Sequence, residues 1–381
     1  MKQAAMEALG AVYKKIPPDY RPGLKRLVFG TLLKAQGAAT GRRIHYARRV
    51  EFLDFEIAHL EPYKFLSPGK NDVLVEMECS TLSPGTERAV LCGLPGARKN
   101  FPYQPGYSSA GTVVKSGAKS SFQVGERVAG RIKHVSHDTV SPELLFRIPN
   151  GVSFEEASFI ELGIITLQGI RKAAIRPGER VAVIGQGIIG QMANRLARLL
   201  FPARVLAVAP SSNRRSTALA SGGAHEFISL RETPSYAEVI AADVVIEAVG
   251  TPQAIDIAMK CAKPGGRVVL LGSSRGLSRD VDLWNVAQRR SLDIIGAHIT
   301  AIPEKESSTR MWTYRREGEL FLRLLEKKRL SVSELVTWRA RPEECNMVYE
   351  ILSHGGDRHV GIVFHWKSGD ELKTGIAAPK S

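Results

Sequence analysis

One stretch constrains this chain more than any other: an apolar strand that closes on three glycines and opens a helix, Val181-Ala182-Val183-Ile184-Gly185-Gln186-Gly187-Ile188-Ile189-Gly190. The first glycine permits a tight turn, the second lets backbone approach a pyrophosphate, and the third brings helix close onto strand. The free N–H groups and positive dipole of the helix start then face the anion. A second apolar strand, 204–208, follows after one helix length, which is the spacing of a βαβ dinucleotide-binding unit.

The residues after that second strand bear on the choice of nucleotide. Ala209-Pro210-Ser211-Ser212-Asn213-Arg214-Arg215 contains no carboxylate to accept hydrogen bonds from ribose hydroxyls. Its hydroxyls and guanidinium groups suit a 2′-phosphate instead. NADP(H) is therefore the expected cofactor, with Ser211, Ser212, Asn213 and Arg214 at its phosphate. The competing reading is that Arg214 and Arg215 only begin a solvated helix.

At 381 residues, 44% hydrophobic and 24% charged, the chain is long enough for two domains with sizeable cores and has the composition of a soluble globular protein. It has no apolar run as long as a membrane span, and Glu7 interrupts the short apolar stretch before Lys14-Lys15, a poor signal peptide. A cytoplasmic location is expected. The four cysteines, Cys79, Cys92, Cys261 and Cys345, form no C-x-x-C pair, so they offer neither a disulfide framework nor a thiolate zinc cage.

The net charge of +15 is unevenly spread: eleven Lys and Arg against two acids through Arg49 place +9 there. Within this segment Leu24, Leu27, Val28, Leu32 and Leu33 recur at helical spacing with Lys25, Arg26 and Lys34 between them, a basic amphipathic helix. Such an extension is expected to dock on its own protein or on a sister subunit, with peripheral contact to a membrane surface as the second reading. No nucleic-acid motif accompanies the charge, and no nucleic-acid partner is expected.

After Gly41 come short strand-like runs, 72–79, 110–115 and 125–131, bounded by Ser67-Pro68-Gly69, Pro105-Gly106 and Gly117, which predict an all-β module. From about Thr166 strand and helix alternate: strands at 181–184, 204–208, 243–248 and 267–271, helices after Gly190, from Arg214 and from Gln253. That alternation predicts a doubly wound parallel sheet. Helices are expected around 319–328 and 343–352, then a last strand at 361–365 that returns to the first module. The divisions expected are residues 1–41 as the basic extension, 42–165 and 300–366 as the β-rich domain, 166–299 as the nucleotide-binding domain and 367–381 as a polar tail.

This order of modules resembles the medium-chain dehydrogenase/reductase superfamily. The likeness rests on Leu82-Ser83-Pro84-Gly85-Thr86-Glu87, Pro105-Gly106-Tyr107-Ser108-Ser109-Ala110-Gly111, Arg176-Pro177-Gly178-Glu179-Arg180, Val244-Val245-Ile246-Glu247-Ala248-Val249-Gly250 and Lys263-Pro264-Gly265-Gly266-Arg267. It implies an α/β fold with a GroES-like β-barrel catalytic domain and a Rossmann domain. It also implies that Gly185, Gln186, Gly187, Ile188, Ile189, Gly190, Ala248, Val249, Gly250 and Gly272 border the dinucleotide.

The departures from that family speak to mechanism. Pro84 stands where the zinc-dependent alcohol dehydrogenases have the first cysteine ligand, while Tyr107 and Ser108 replace the His-Glu pair that supplies the second. With those donors lost and no four-cysteine lobe, no metal site is expected. Positioned hydroxyls must then stabilise the developing charge. Tyr107 is the first candidate acid, Thr86 matches the family's proton-relaying hydroxyl, Glu161 can orient Tyr107 or a water, and His298 stands at the carboxyl end of a sheet strand. Competing readings make Tyr107 a barrel residue bonded to backbone and Thr86 a turn or helix cap.

The function expected is NADP(H)-dependent, zinc-independent hydride transfer to or from a carbonyl or secondary alcohol, on a small-molecule substrate, by a homo-oligomer, a dimer. Quinone or enoyl (C=C) reduction is the alternative within the same superfamily. A nucleotide-binding sensor or scaffold that has lost catalysis is the alternative from another class.

Overall fold

The computed structural model describes residues 21–278, 281–355 and 358–367, with the side chains of 21–29 left aside. Glu7, Lys14 and Lys15, the side chains of Leu24, Lys25, Arg26, Leu27 and Val28, and the tail beyond Lys367 therefore lie outside the described residues.

Helix α1 (Arg21–Thr40) packs on a long antiparallel hairpin of β1 (Ile44–Asp54) and β2 (Ile57–Leu66). Its C-terminal turn is anchored by the Arg42 N–H, which donates to Gly37 O at 3.0 Å, while Leu32 stays exposed. The hairpin leads into β3 (Val73–Thr81), followed by α2 (Pro84–Leu91), β4 (Ser109–Ser116), β5 (Arg127–Gly130), β6 (His137–Val140) and β7 (Leu145–Arg147). Strand β3 is the spine of this barrel: β4 and β6 pair with it antiparallel, and its residues are buried almost throughout, with only Glu76 and Glu78 partly exposed.

Helix α3 (Ile160–Ala173) carries the chain into the second half. There β8 (Arg180–Ile184), α4 (Ile188–Arg198), β9 (Arg204–Ala209), β10 (Glu226–Ser229), β11 (Ala242–Glu247), α5 (Pro252–Cys261), β12 (Ala262–Leu270) and β13 (Asp293–Gly296) build a parallel sheet in the order β10-β9-β8-β11-β12-β13. The order reverses between β8 and β11, and a crevice opens outside the carboxyl ends of those two strands. The chain then returns through α6 (Tyr314–Glu326), which packs against α3, to β14 (Val336–Ala340), α7 (Cys345–Ser353) and β15 (Gly361–His365). Strand β15 pairs antiparallel with β3, so the tail completes a seven-stranded barrel sheet in the order β14-β15-β3-β4-β5-β7, with β6 pairing β3 off that path. The fold is a GroES-like barrel with a Rossmann sheet, joined through one apolar cluster that runs from Phe146 and Phe159 to Val183 and Ile246.

Three expectations shift in detail. The helix read from Arg214 is a 3-10 turn, Ser212–Arg214, followed by a short helix, Arg215–Leu219. The helix read at 319–328 starts at Tyr314, because the Thr313 side chain caps it by accepting the Arg316 N–H. Strands β6, β10 and β13 carry no period-2 signal long enough to be read and are held by sheet neighbours, whereas β14 does alternate, with Val336, Trp338 and Ala340 buried.

Candidate active site

The glycine turn is built from backbone. Gly185 sits at φ 94°, a left-handed conformation that β-branched residues avoid, and its N–H donates to Val208 O at 2.8 Å. Gly187 caps α4, and a Cβ at Gly190 would lie 1.8 Å from the Gly185 carbonyl, so the helix can approach the strand only because that Cβ is missing. Ala248 N–H closes the opposite wall on Ile184 O at 2.9 Å. The turn floors a cavity of about 590 Å³, walled by Gly185, Gln186, Gly187 and Ile188, by Ser211, Asn213 and Arg214 after β9, and by Ala248 and Val249 after β11. From the barrel side come Arg88 of α2 and His359.

Arg214 folds back over the turn: its Nη1 donates to Gln186 O at 3.2 Å and its Nη2 to His359 O at 3.1 Å. The expectation that no carboxylate reaches this place is corrected by Glu232, which accepts from Ser212 Oγ at 3.0 Å from the loop after β10. That loop also brings Arg231 to the cavity wall. Neither residue is visible from the sequence after β9, because each is delivered by a neighbouring strand. Gly190, Ser212 and Gly250 do not line the cavity; Gly250 N–H instead donates at 2.7 Å to the buried Glu247 carboxylate.

A smaller cavity of about 160 Å³ continues from the first and shares Gly85, Gly187, Ile188, Ala248 and Val249 with it. Ile189 and Gly272 belong to this part, and three hydroxyl residues, Ser83, Thr86 and Tyr107, form its barrel side. The Tyr107 hydroxyl donates to Ser83 Oγ at 2.6 Å. Burial pushes the Tyr107 phenol up to about 12, against hydrogen bonding from Ser83 and Thr86. The phenol therefore stays protonated at neutral pH, as a donor must.

A buried network holds this corner. Glu87, on the first turn of α2, accepts the Ser83 N–H at 2.7 Å and also the Tyr349 hydroxyl, and its other contact is His134 Nε2 at 3.2 Å. His134 Nδ1 meets Ser80 Oγ at 2.8 Å, and Trp366 Nε1 donates to the same oxygen at 2.9 Å. Ser83, unremarked in the sequence apart from its place in a motif, is thus fixed as the N-cap residue of α2 with its side chain left for Tyr107.

The structure brings Tyr107 and Thr86 together but leaves the other two catalytic candidates apart. Glu161 is buried, and its carboxylate is taken by Arg131 Nε at 3.0 Å and by the Tyr314 hydroxyl, with no bond to Tyr107. Burial raises its pKa, with Arg131 and then Tyr314 opposing. Nothing in the sequence joins Arg131, Glu161 and Tyr314, which come from β5, α3 and α6. His298 is exposed, bonds Thr300 at 2.8 Å and lines neither cavity, because it serves as the N-cap of a 3-10 turn just past β13.

The three positions matched to a zinc site, and the nearby Glu161, test poorly as ligands. Pro84 has no donor, Ser108 Oγ donates to Ser158 O at 2.6 Å, Glu161 is paired with a guanidinium, and only the Tyr107 oxygen faces the cavity. Among the described residues no group of three or more His, Cys, Asp or Glu side chains is placed to hold a metal.

Comparison with known proteins follows the same lines. The profile of the zinc-binding dehydrogenase family matches residues 189–312. A candidate D-xylulose reductase of Agrobacterium fabrum is 28% identical over 212 residues, which cover 45% of this chain and 60% of that protein. Sorbitol dehydrogenase 1 of Saccharomyces cerevisiae is 24% identical over 309 residues, 69% of this chain and 82% of its own. Among solved structures, a candidate zinc-binding dehydrogenase of Sinorhizobium meliloti, bound to NADP, superposes with a TM-score of 0.69 at 21% identity and covers 84% of this chain and 99% of its own. Residues 189–312 thus match the zinc-binding dehydrogenase family, and the described chain shares its overall fold with the dehydrogenase structures it superposes on. Among the described residues no helix is long and apolar enough to cross a membrane.

Proposed function

We propose that this protein is a zinc-independent oxidoreductase that prefers NADP(H) and interconverts a carbonyl compound and a secondary alcohol. The observation that carries the reading is the continuous crevice that leads from the glycine turn and Arg214 to the hydroxyls of Ser83, Thr86 and Tyr107. The Rossmann sheet, expected from residues 166–299, offers the nucleotide wall; the barrel, expected from 42–165 and 300–366, offers the substrate wall. The likeness to sorbitol dehydrogenase 1 and to a D-xylulose reductase supports secondary-alcohol chemistry.

A bound nicotinamide supplies or accepts the hydride. The chain's part is to hold the substrate oxygen and to manage its proton. Tyr107, kept neutral by burial, turns the proton it gives Ser83 Oγ toward the carbonyl oxygen as negative charge builds there, and the Ser83 hydroxyl, then released, can donate back to the phenol oxygen. At the nucleotide end, Arg214 and Arg231 favour a 2′-phosphate, while Glu232 on Ser212 works against it and moderates the preference. The Arg131–Glu161 pair fills the ground a metal would need with a cation of its own, so the reaction relies on hydroxyl donors.

The test follows nicotinamide absorbance with NADPH and NADH against a panel of ketones, enones, quinones and polyols, with elemental analysis of the same preparation. Turnover of a ketone or polyol, faster with NADP(H) and without stoichiometric zinc, is expected. One zinc per chain lost together with activity overturns the metal-free reading, and a saturated product from an enone panel moves the chemistry to C=C reduction.

A further inference from the structure

We infer that the substrate of this site is itself an anion, bearing a carboxylate or a phosphate, and that Arg275 is the residue that binds that group. The inference rests on the oxidoreductase reading above and names its substrate class.

It comes from the charges along the crevice. Among the described residues, the charged side chains lining the two cavities are Arg88, Arg214, Arg231 and Arg275, and no aspartate or glutamate lines either. The first three surround the larger cavity, where a nucleotide's 2′-phosphate and pyrophosphate call for cations. Arg275 lines only the smaller one, beside Ser83, Thr86 and Tyr107, where the cofactor's phosphates are not expected.

The setting of Arg275 is that of a guanidinium awaiting a partner. It stands on the loop after β12, where its backbone N–H donates to Gly250 O at 2.9 Å. Its Nη2 reaches across the crevice to the Gly85 carbonyl at 3.3 Å, a long bond that touches the helix turn carrying Thr86. Among the described residues no carboxylate pairs with it, and the influence on its pKa is burial alone, which lowers it. A partly buried cation without an acid is costly unless something bound supplies the counter-charge.

Arg131 makes the contrast. It lies in the same neighbourhood of Tyr107, yet Glu161 already neutralises it at 3.0 Å, so it brings no net charge to a ligand. Arg275 has four neighbours that matter to a hydroxy acid or a sugar phosphate: the hydroxyls of Ser83, Thr86 and Tyr107 for the reacting oxygen, and the Gly85 carbonyl for a further substrate hydroxyl. The planar fork of arginine then suits a carboxylate or phosphate bidentately.

The experiment titrates the full chain, saturated with NADPH, with gluconate, sorbitol 6-phosphate and sorbitol, read by nicotinamide fluorescence. At least one anion is expected to bind roughly tenfold or more tighter than sorbitol, the size of one charge-assisted contact. Arg275→Gln should bring that anion to near parity with sorbitol while the Kd for NADPH stays within about twofold, and Arg275→Lys should retain part of the difference, since an ammonium keeps the charge but not the fork. The retained NADPH binding also shows that the variants fold. Sorbitol binding as tightly as both anions overturns the inference. So does an Arg275→Gln protein that loses NADPH and NADH affinity alike and keeps its anion preference, because Arg275 would then serve the pyrophosphate. Arg275-dependent anion binding without turnover of any panel member sustains this inference and counts against the oxidoreductase reading instead.

Discussion

The two ends of the crevice are made of different material. At the nucleotide end the shape is backbone: a left-handed glycine, a helix start without a side chain over it, and a close strand–helix approach. At the hydroxyl end the shape is side chain: Tyr107 bonded to Ser83, with Glu87, His134, Tyr349 and Trp366 stacked behind as a buried polar scaffold. The difference teaches where each end tolerates change. A backbone site depends on what is absent from a few positions, so adding one methyl breaks it. A side-chain site depends on one oxygen in place, so removing one atom breaks it while the fold survives.

The sharpest test of the hydroxyl end is Tyr107→Phe. It keeps the ring and deletes the oxygen, so folding and NADPH binding should persist while kcat falls by roughly 10²–10⁴-fold, the usual worth of general acid catalysis. Near-complete retention of turnover would make Tyr107 a structural residue and leave Thr86 and Ser83 to be tested in its place.

The backbone end is challenged by Gly190→Ala. Its Cβ would meet the Gly185 carbonyl at 1.8 Å, a contact with backbone that no rotamer relieves. Overpacking of this kind costs about 1–3 kcal/mol, and a lower melting temperature together with weaker binding of both NADPH and NADH is expected. Unchanged affinity for both would show that the turn is not the nucleotide floor.

Arg214→Ala probes the one place where the nucleotide end uses a side chain. The preference for NADPH over NADH should shrink by roughly tenfold, as one charge-assisted contact is lost. The substitution also frees Gln186 O and His359 O, so some loss common to both nucleotides is expected beside the differential one.

The smallest expected effect is an absence of titration. Burial holds the Tyr107 phenol at about 12, above its ordinary value, so its protonated donor form prevails at lower pH and is lost only as pH rises through that value. The kcat of carbonyl reduction should therefore show no falling limb from this group between about pH 6 and 9. A limb near pH 8 that disappears in Tyr107→Phe would mean that a bound substrate or nucleotide lowers the phenol pKa far below its setting in the free protein.

Much of the nucleotide end was legible in the chain because local sequence makes it. The run from Val181 to Gly190 carries its own turn and helix start, and the alternation of strands and helices after Thr166 corresponds to the sheet with its reversal between β8 and β11. Even there Arg231 and Glu232 carry no sequence signal, since β10 delivers them beside residues that follow β9. At the hydroxyl end, Tyr107 and Thr86 could be named from motif positions, and the crevice does hold both. Glu161 could not be assigned a partner from sequence, because Arg131 and Tyr314 meet it only after three separate elements pack.

The sequence by itself determined the folding plan: a barrel of short strands interrupted by a glycine-marked α/β unit, with a last strand returning to close the first module. Those choices rest on period, turn residues and backbone freedom, which act over a few neighbouring residues. Only the tertiary structure decided which polar groups neutralise one another and which remain for a ligand. It tied Glu161 to Arg131, set Ser83 against Tyr107 and left Arg275 facing the crevice with no acid among the described residues. Pairing of charges and hydroxyls depends on distances of a few ångströms between side chains far apart in the chain, and those distances exist only once the barrel and the parallel sheet have packed together.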